Sequence, residues 1–320
     1  MKEKIADILI MNLGEYVSGE ALSSRFCISR TAVWKHIREL RREGYLIQAA
    51  SRRGYCLTQK PDLLVPEEIK RYLRTKNIGH KIEHWESIDS TNRRAKEMAS
   101  QGASHGTVVV AGEQTRGRGR LKNGWFSPAG GIWFSVILKP QIIPQQASIF
   151  TLLAALAIVQ GIQEALSIPL KIKWPNDVYL DNRKLAGILT EISAEMDMVN
   201  YIITGIGINA KVDSSSFPEG IKERSVTLAE ETGQDFILPE ILGIILNHME
   251  ILYDCVQRDG FEEIIEEWRR YDLLIGRKIS VDTPSGKISG KSVGVNSKGA
   301  LILESEEGNR IEVLAGSIIF

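Results

Sequence analysis

Apolar positions recur at a helical spacing from Ile5 to Leu40 and at a strand spacing from Tyr45 to Thr58. Ile5, Ile8, Leu9 and Leu13 share one face of a first predicted helix. Ser18 is placed to cap a second, Gly19 to Phe26, and Ser29 to cap a third that runs to Glu43 before Gly44 stops it. On that third helix Val33, Ile37 and Leu40 fall on one face, whereas Arg30, Thr31, Trp34, Lys35 and Arg38 point elsewhere. Tyr45 to Ala50 and Tyr55 to Thr58 read as strands joined by the basic turn Ser51-Arg-Arg-Gly54.

The two prolines of Lys60-Pro-Asp-Leu-Leu-Val-Pro66 mark a linker. Beyond it the pattern predicts a short helix from Pro66 to Leu73, a strand from Lys81 to Trp85, and a helix to Ser100 opened by Ser87-Ile-Asp-Ser-Thr-Asn92. Strands follow at Val108 to Val110 and Gly131 to Leu138, then a long helix, Ala147 to Leu166, apolar around most of its circumference. Ile168 to Trp174, Leu185 to Ile192 and Met198 to Ile208 complete a sheet of at least five strands. Strands and helices do not alternate strictly, so an α+β fold is expected, with a mixed or mainly antiparallel sheet and helices on one face. Helices at Leu238 to Gln257 and Gly260 to Tyr271 close this region. In the tail, Gly286, Gly290, Gly294, Gly299 and Gly308 punctuate short β-rich runs, the spacing of a small barrel.

The 320 residues carry 40 basic and 40 acidic side chains, so a general affinity for polyanions is excluded and any charge asymmetry must be local. One exists. From Glu20 to Lys60 there are nine basic residues (Arg25, Arg30, Lys35, Arg38, Arg41, Arg42, Arg52, Arg53, Lys60) against Glu20, Glu39 and Glu43. Helix, helix, tight connection, helix and basic hairpin form winged helix-turn-helix order, in which the third helix meets base edges and the hairpin is a wing. The candidate DNA contacts are therefore Arg30, Thr31, Trp34, Lys35, Arg38, Arg52 and Arg53; a solvated face or a protein-docking module is the alternative. The three cysteines lack metal-ligand spacing, which points to a reducing compartment. The N-terminus has no signal-like apolar core, and Leu152 to Val159 is too short to span a bilayer, so a cytoplasmic protein without a membrane partner is expected.

The run Thr107 to Gly112 delivers the loop Glu113-Gln-Thr-Arg-Gly-Arg-Gly-Arg-Leu-Lys-Asn-Gly-Trp125 to a sheet edge. Gly117 and Gly119 allow close backbone approach to a ligand, and Arg116, Arg118 and Arg120 offer forked donors matched to phosphate or carboxylate. Alone, such a loop is equally a solvated basic turn or a nucleic-acid patch. Two rival motifs fall away. His80-Lys-Ile-Glu-His84 has the H-x-x-E-H spacing of inverted zinc proteases but sits in a strand pattern, where its histidines cannot share a helix face. Gly205-Ile-Gly-Ile-Asn-Ala210 matches a dinucleotide fingerprint but opens no helix, and no Walker sequence occurs. In the second informative stretch, Lys171 to Glu191, Trp174-Pro-Asn-Asp177 breaks a strand. Asp181-Asn-Arg-Lys184 then makes a hairpin turn, with Lys184 on it.

Together the two stretches resemble the biotin protein ligases, whose motifs stand here as Gly117-Arg-Gly-Arg120, Lys173-Trp-Pro-Asn-Asp177 and Lys184-Leu-Ala-Gly187. The first sixty residues resemble the winged helix-turn-helix of that family's bifunctional ligase and repressor subgroup, clearest in Ser29-Arg-Thr-Ala-Val-Trp-Lys-His-Ile37. The resemblance implies three domains: DNA-binding (1–62), a catalytic domain like that of class II aminoacyl-tRNA synthetases (63–272), and an SH3-like β-barrel (273–320). It implies that biotin and MgATP give biotinyl-5′-AMP, and that the biotinyl group then passes to a lysine of a biotin carboxyl carrier protein, of acetyl-CoA carboxylase and other carboxylases. By the same resemblance Ser90, Thr91, Asn92, Gln114, Arg118, Gly119, Arg120, Lys184 and Gly187 hold biotin. Arg118, Arg120, Trp125, Asn176, Lys184 and Asn209 face the adenylate. Arg118, Lys184 and Asp177 are the catalytic set, Asp177 serving Mg²⁺ or the attacking amine. No dedicated protein metal site is implied. Operator DNA and a homodimer formed when the chain is loaded with biotinyl-5′-AMP complete the expectation. Where the family commonly continues Gly-Arg-Gly-Arg with a further Gly-Arg, this chain has Leu121-Lys-Asn-Gly124. A ligase without DNA binding, a pure ligand-sensing regulator and a lipoate ligase are the competing readings.

Overall fold

The computed structural model of the chain describes residues 1–319, which form two compact units, Met1–Glu68 and the chain from Ile69 onward. In the first unit α1 (Lys2–Met11), α2 (Gly19–Phe26) and α3 (Arg30–Arg42) enclose a core of Ile5, Ile8, Leu9, Leu22, Val33, Ile37 and Leu40. Both predicted caps form: Ser18 Oγ accepts from Ala21 N at 2.9 Å and Ser29 Oγ from Ala32 N at 3.1 Å. The first helix stops at Met11, so Leu13 lies beyond it and is exposed, not on the buried face. β1 (Ile47–Ala50) and β2 (Gly54–Leu57) pair antiparallel as the wing. Gly54 has φ +110°, and a Cβ there would overlap the Val17 carbonyl, which locks the wing's base to the chain ahead of α2.

α4 (Pro66–Lys70) spans the division between the units. The second unit runs β3 (Ile82–Ile88), α5 (Thr91–Ser100), β4 (Val108–Gln114), β5 (Ile132–Leu138), α6 (Ile149–Leu166), β6 (Lys171–Lys173), β7 (Asp177–Leu180), β8 (Arg183–Glu195) and β9 (Met198–Ile208). After these come α7 (Leu228–Thr232), α8 (Leu238–Asp259), α9 (Glu262–Arg269) and five strands, β10 (Lys278–Thr283), β11 (Gly286–Val295), β12 (Leu301–Glu304), β13 (Arg310–Val313) and β14 (Ser317–Ile319). Among the described residues the central sheet has seven strands in the order β3-β4-β5-β9-β8-β7-β6, and the tail forms a five-stranded antiparallel sheet, β13-β12-β11-β10-β14. Only β3 and β4 pair in parallel; the other neighbours in the central sheet are antiparallel.

Helices cover both faces of the central sheet, not one as the pattern suggested. Thr190 and Glu191 are neighbours on β8 and so point to opposite faces. Thr190 Oγ1 meets Thr151 of α6 at 2.8 Å, whereas Glu191 Oε2 accepts from Asn92 of α5 at 2.9 Å. α6 is the core helix: Pro144–Leu166 is long and apolar enough to cross a membrane, a longer stretch than the Leu152 to Val159 run alone, but most of it is buried against the sheet and α8. The parallel pairing of β3 with β4 ends at Ile88 opposite Gln114, so the start of α5 and the Arg-rich loop leave the sheet side by side.

Candidate active site and nucleic-acid interface

The site is built on a glycine floor on the α5 face. Register aligns Trp133, Gly207, Gly187 and Asp177 in one row across four adjacent strands, and Ser135, Gly205 and Leu189 in the next. Asn92 lies on Gly205, where a Cβ would overlap its amide. The Trp125 ring lies on Gly207 and Gly187; a Cβ at Gly187 would stand 2.9 Å from the ring and 3.3 Å from Lys184 Cε. Gly205 and Gly207 are thus strand glycines that admit side chains from above, which disposes of the dinucleotide fingerprint.

At one end of this floor is a neutral polar network. Ser90 caps α5, accepting from Arg93 N at 3.5 Å. Gln114 Oε1 accepts from Thr91 N at 2.9 Å and Thr91 Oγ1 at 3.1 Å, while its Nε2 donates to Ser127 Oγ at 2.9 Å. The buried Ser135 Oγ lies 2.6 Å from Asn92 Oδ1 and 2.8 Å from Thr91 Oγ1, so its one O–H is shared. Asn92 Nδ2 donates to Leu189 O at 3.2 Å and to Glu191 Oε2 at 2.9 Å.

Cations gather at the other end. The loop from Gly117 to Trp125 folds back on itself, with Trp125 N donating to Gly117 O at 2.9 Å and Gly119 N to Asn123 O at 2.8 Å. Gly117 is therefore demanded by the loop's own return, since a Cβ there would overlap the Trp125 carbonyl, and not by a ligand alone. Arg118 Nη1 reaches Glu191 Oε1 at 3.2 Å. Arg120 is more enclosed: Nη1 donates to Asn176 Oδ1 at 2.9 Å and Nη2 to the Gly316 carbonyl of the tail at 3.2 Å. Burial lowers its pKa, opposed by Asp177, yet a guanidinium stays charged. Arg116 is exposed and does not line the cavity.

Lys184 is not on the hairpin turn. Asp181 and Asn182, at φ 47° and 63°, are a two-residue turn of the I′ kind, and Lys184 is already in β8. A bulge shifts the β7–β8 register so that Tyr179 faces Lys184 and Val178 faces Ala186. The extra residue brings Lys184 to the same side as Gly187, three positions on. Lys184 Nζ is 2.7 Å from Asp177 Oδ1 and 5.0 Å from the centre of the Trp125 ring. Nearby, burial lowers the pKa of Lys173, opposed by Asp177, and pushes the Tyr179 hydroxyl up to about 12.

These groups enclose a cavity of about 210 Å³ lined by Ser90, Thr91, Asn92, Gln114, Arg118, Gly119, Arg120, Trp125, Asn176, Asp177, Lys184 and Gly187, with Ser317 from the tail. Asn209 does not line it. It is buried beyond the end of β9, where its main chain bonds Leu185 O and Leu228 N, because the strand's last turn carries it past the floor. Sequence reasoning missed Ser127, Ser135, Glu191, Gly205 and Gly207. The alternating glycines of Gly205-Ile-Gly207 were the legible signal, since glycine inside a strand marks close approach; the partners of Ser135 and Glu191 lie too far along the chain to be read.

In the first unit all seven candidate DNA residues are exposed, on α3 and the wing. The Trp34 ring is 47% exposed, with the Arg38 guanidinium 4.8 Å from its centre. Arg30 pairs with Glu20 at 2.7 Å, Arg52 takes φ 62° at the wing tip, and Arg53 lies 4.1 Å over Tyr16. His80 and His84 precede and occupy β3, so the zinc-protease spacing has no helix to act on.

The cavity pairs forked cations with a neutral polar pocket on the face of a mixed sheet. Residues 85–209 match the Biotin/lipoate A/B protein ligase family, residues 2–56 an HTH domain, and residues 274–320 the biotin protein ligase C terminal domain. The chain is 40% identical over 309 residues to the bifunctional ligase/repressor BirA proteins of Bacillus spizizenii and Bacillus subtilis, covering 96% of this chain and 95% of each relative. It also superposes on the biotin protein ligase of Aquifex aeolicus in complex with biotin and ATP, with TM-score 0.66 and 33% identity, over 75% of this chain and 98% of that one. The chain belongs to the biotin protein ligases, in the bifunctional ligase and repressor group.

Proposed function

We infer that the chain activates biotin with ATP, transfers it to a lysine of a biotin carboxyl carrier protein, and represses transcription according to biotin supply. The observation that carries this is the convergence of Arg118, Arg120 and Lys184 beside the Ser90, Thr91, Asn92 and Gln114 network in one cavity. In this reading the neutral network holds the polar ring of biotin, and the cations draw its carboxylate and the α-phosphate together against their repulsion. The carboxylate oxygen attacks the α-phosphorus and pyrophosphate leaves. The acceptor amine then attacks the acyl carbon, AMP leaves, and the amine loses its proton. Asp177 is the carboxylate that lines the cavity. It is already held by Lys184, and as a single carboxylate it would help hold Mg²⁺ bound to the triphosphate, which would supply charge screening there. Trp125 and Asn176 lie on the adenylate side.

The further parts of this reading are a class II synthetase-like catalytic domain, an SH3-like tail, and division at residues 1–62, 63–272 and 273–320. The three free thiols Cys27, Cys56 and Cys255 support action in the cytoplasm. Loaded with biotinyl-5′-AMP, the chain forms a homodimer on operator DNA. Biotin-dependent exchange of pyrophosphate into ATP, followed by transfer to carrier protein with lipoate as competitor, tests the enzyme. Arg118→Ala should lower the exchange rate by about a hundredfold, more than it weakens biotin binding; wild-type exchange in that variant overturns the assignment.

A further inference from the structure

Glu191 has no part in the chemistry above, yet it joins the two ends of the site. Its Oε2 accepts from Asn92 Nδ2 at 2.9 Å, and its Oε1 lies 3.2 Å from Arg118 Nη1, with Oε2 3.4 Å from the same nitrogen. The carboxylate is well shielded, 21% exposed, while the arginine is half exposed at 51%. A fixed anion therefore lies against one terminal nitrogen of a half-exposed cation that lines the cavity, and the same anion orients the amide lying on Gly205. It is set there by register: Glu191 follows Gly187 and Leu189 at alternate positions of β8, on the face of the floor.

Resting on the ligase reading, we propose that Glu191 is a resident counter-ion, a positioning residue that holds Arg118 until the carboxylate of biotin takes its place, and that by this exchange tempers the cavity's preference for an anionic ligand tail. Two carboxylates meeting one half-exposed guanidinium compete for it. The bond from the uncharged amide of Asn92 stays in place when Arg118 changes partner, so ring recognition and charge recognition are separable at this one residue. Glu191 keeps Arg118 charge-paired in the ligand-free cavity at the cost of some affinity for biotin.

The test uses the full chain and two probes, biotin and its uncharged primary amide, with affinities measured by calorimetry. Glu191→Gln keeps an oxygen to accept from Asn92 and removes the competing charge. It should tighten biotin by about fivefold relative to the amide, the size expected of a half-exposed ion pair. Glu191→Ala, which also strips Asn92 of one of its two acceptors, should weaken both probes while still shifting the ratio toward biotin. In Arg118→Ala combined with Glu191→Gln the shift should vanish. A biotin-to-amide ratio unchanged in Glu191→Gln overturns the proposal, since a merely structural role moves both affinities together. A wild-type chain that binds neither probe overturns the ligase reading and the proposal with it.

Discussion

Single atoms decide much of this site, and the clearest case is the missing Cβ of Gly205. Asn92 can lie on β9 only because nothing projects from that position. Gly205→Ala overpacks the contact, at a typical cost of about 1–3 kcal/mol. If that cost falls on the bound state, the variant should lose at least about fivefold in biotin affinity, while its far-UV circular dichroism stays that of the wild type, since alanine is tolerated by strand geometry. Unchanged binding in a calorimetric titration would remove Asn92 from the biotin pocket. Lys184 shows the complementary point: its charge was visible in the sequence, but its partner Asp177 depends on the β7–β8 bulge.

At the scale of elements, the tail is attached through a short extended segment beside β6. Ile172 N donates to Tyr271 O and Leu273 N to Ile172 O, so Asp272 is carried into the interior between them. Its Oδ1 accepts from Leu274 N at 2.8 Å, its Oδ2 has no hydrogen-bond partner, and burial pushes the carboxyl up to about 6. An acid whose pKa is raised on folding binds its proton more tightly in the native state. Stability from this group therefore falls as pH rises between roughly 4 and 6, a loss on the order of 3 kcal/mol that persists at higher pH. Asp272→Asn cannot titrate. Its melting temperature relative to wild type should shift in the variant's favour between roughly pH 4 and pH 6, the window set by the two pKa values, and hold that shift above it; a constant offset in thermal melts would show that the charge of Asp272 is compensated.

For the whole molecule, the proposal couples an enzyme to a DNA-binding unit. The exposed basic residues of α3 and the wing sit in a chain of zero formal net charge, so binding should be salt-dependent through these few contacts. Lys35→Ala should weaken operator binding and reduce the salt slope by about one unit if it meets a phosphate. Sedimentation and DNA titration with and without biotin plus ATP check the coupling. A dimer favoured by the loaded state, through ordering of the loops at Gly117 to Trp125 and Lys211 to Gly220, predicts tighter operator binding only when both substrates are present. Equal affinity in both conditions would break the link.

Local signals were enough for the helix-turn-helix with its capping serines, the strands of the central sheet, the Arg-rich loop and the three ligase motifs, because caps, periodicity and glycine act over a few residues. Expectation failed where distant chain segments meet. The pattern of apolar positions could not say that α5 and α6 lie on opposite faces, since that depends on which way Thr190 and Glu191 point within a sheet whose order is set by long-range pairing. Nor could it place Lys184 against Asp177, exclude Asn209 from the cavity, or align Gly187 with Gly207 beneath Trp125. Those relations follow from register, and register is fixed only when strands far apart in the chain bury their shared faces together.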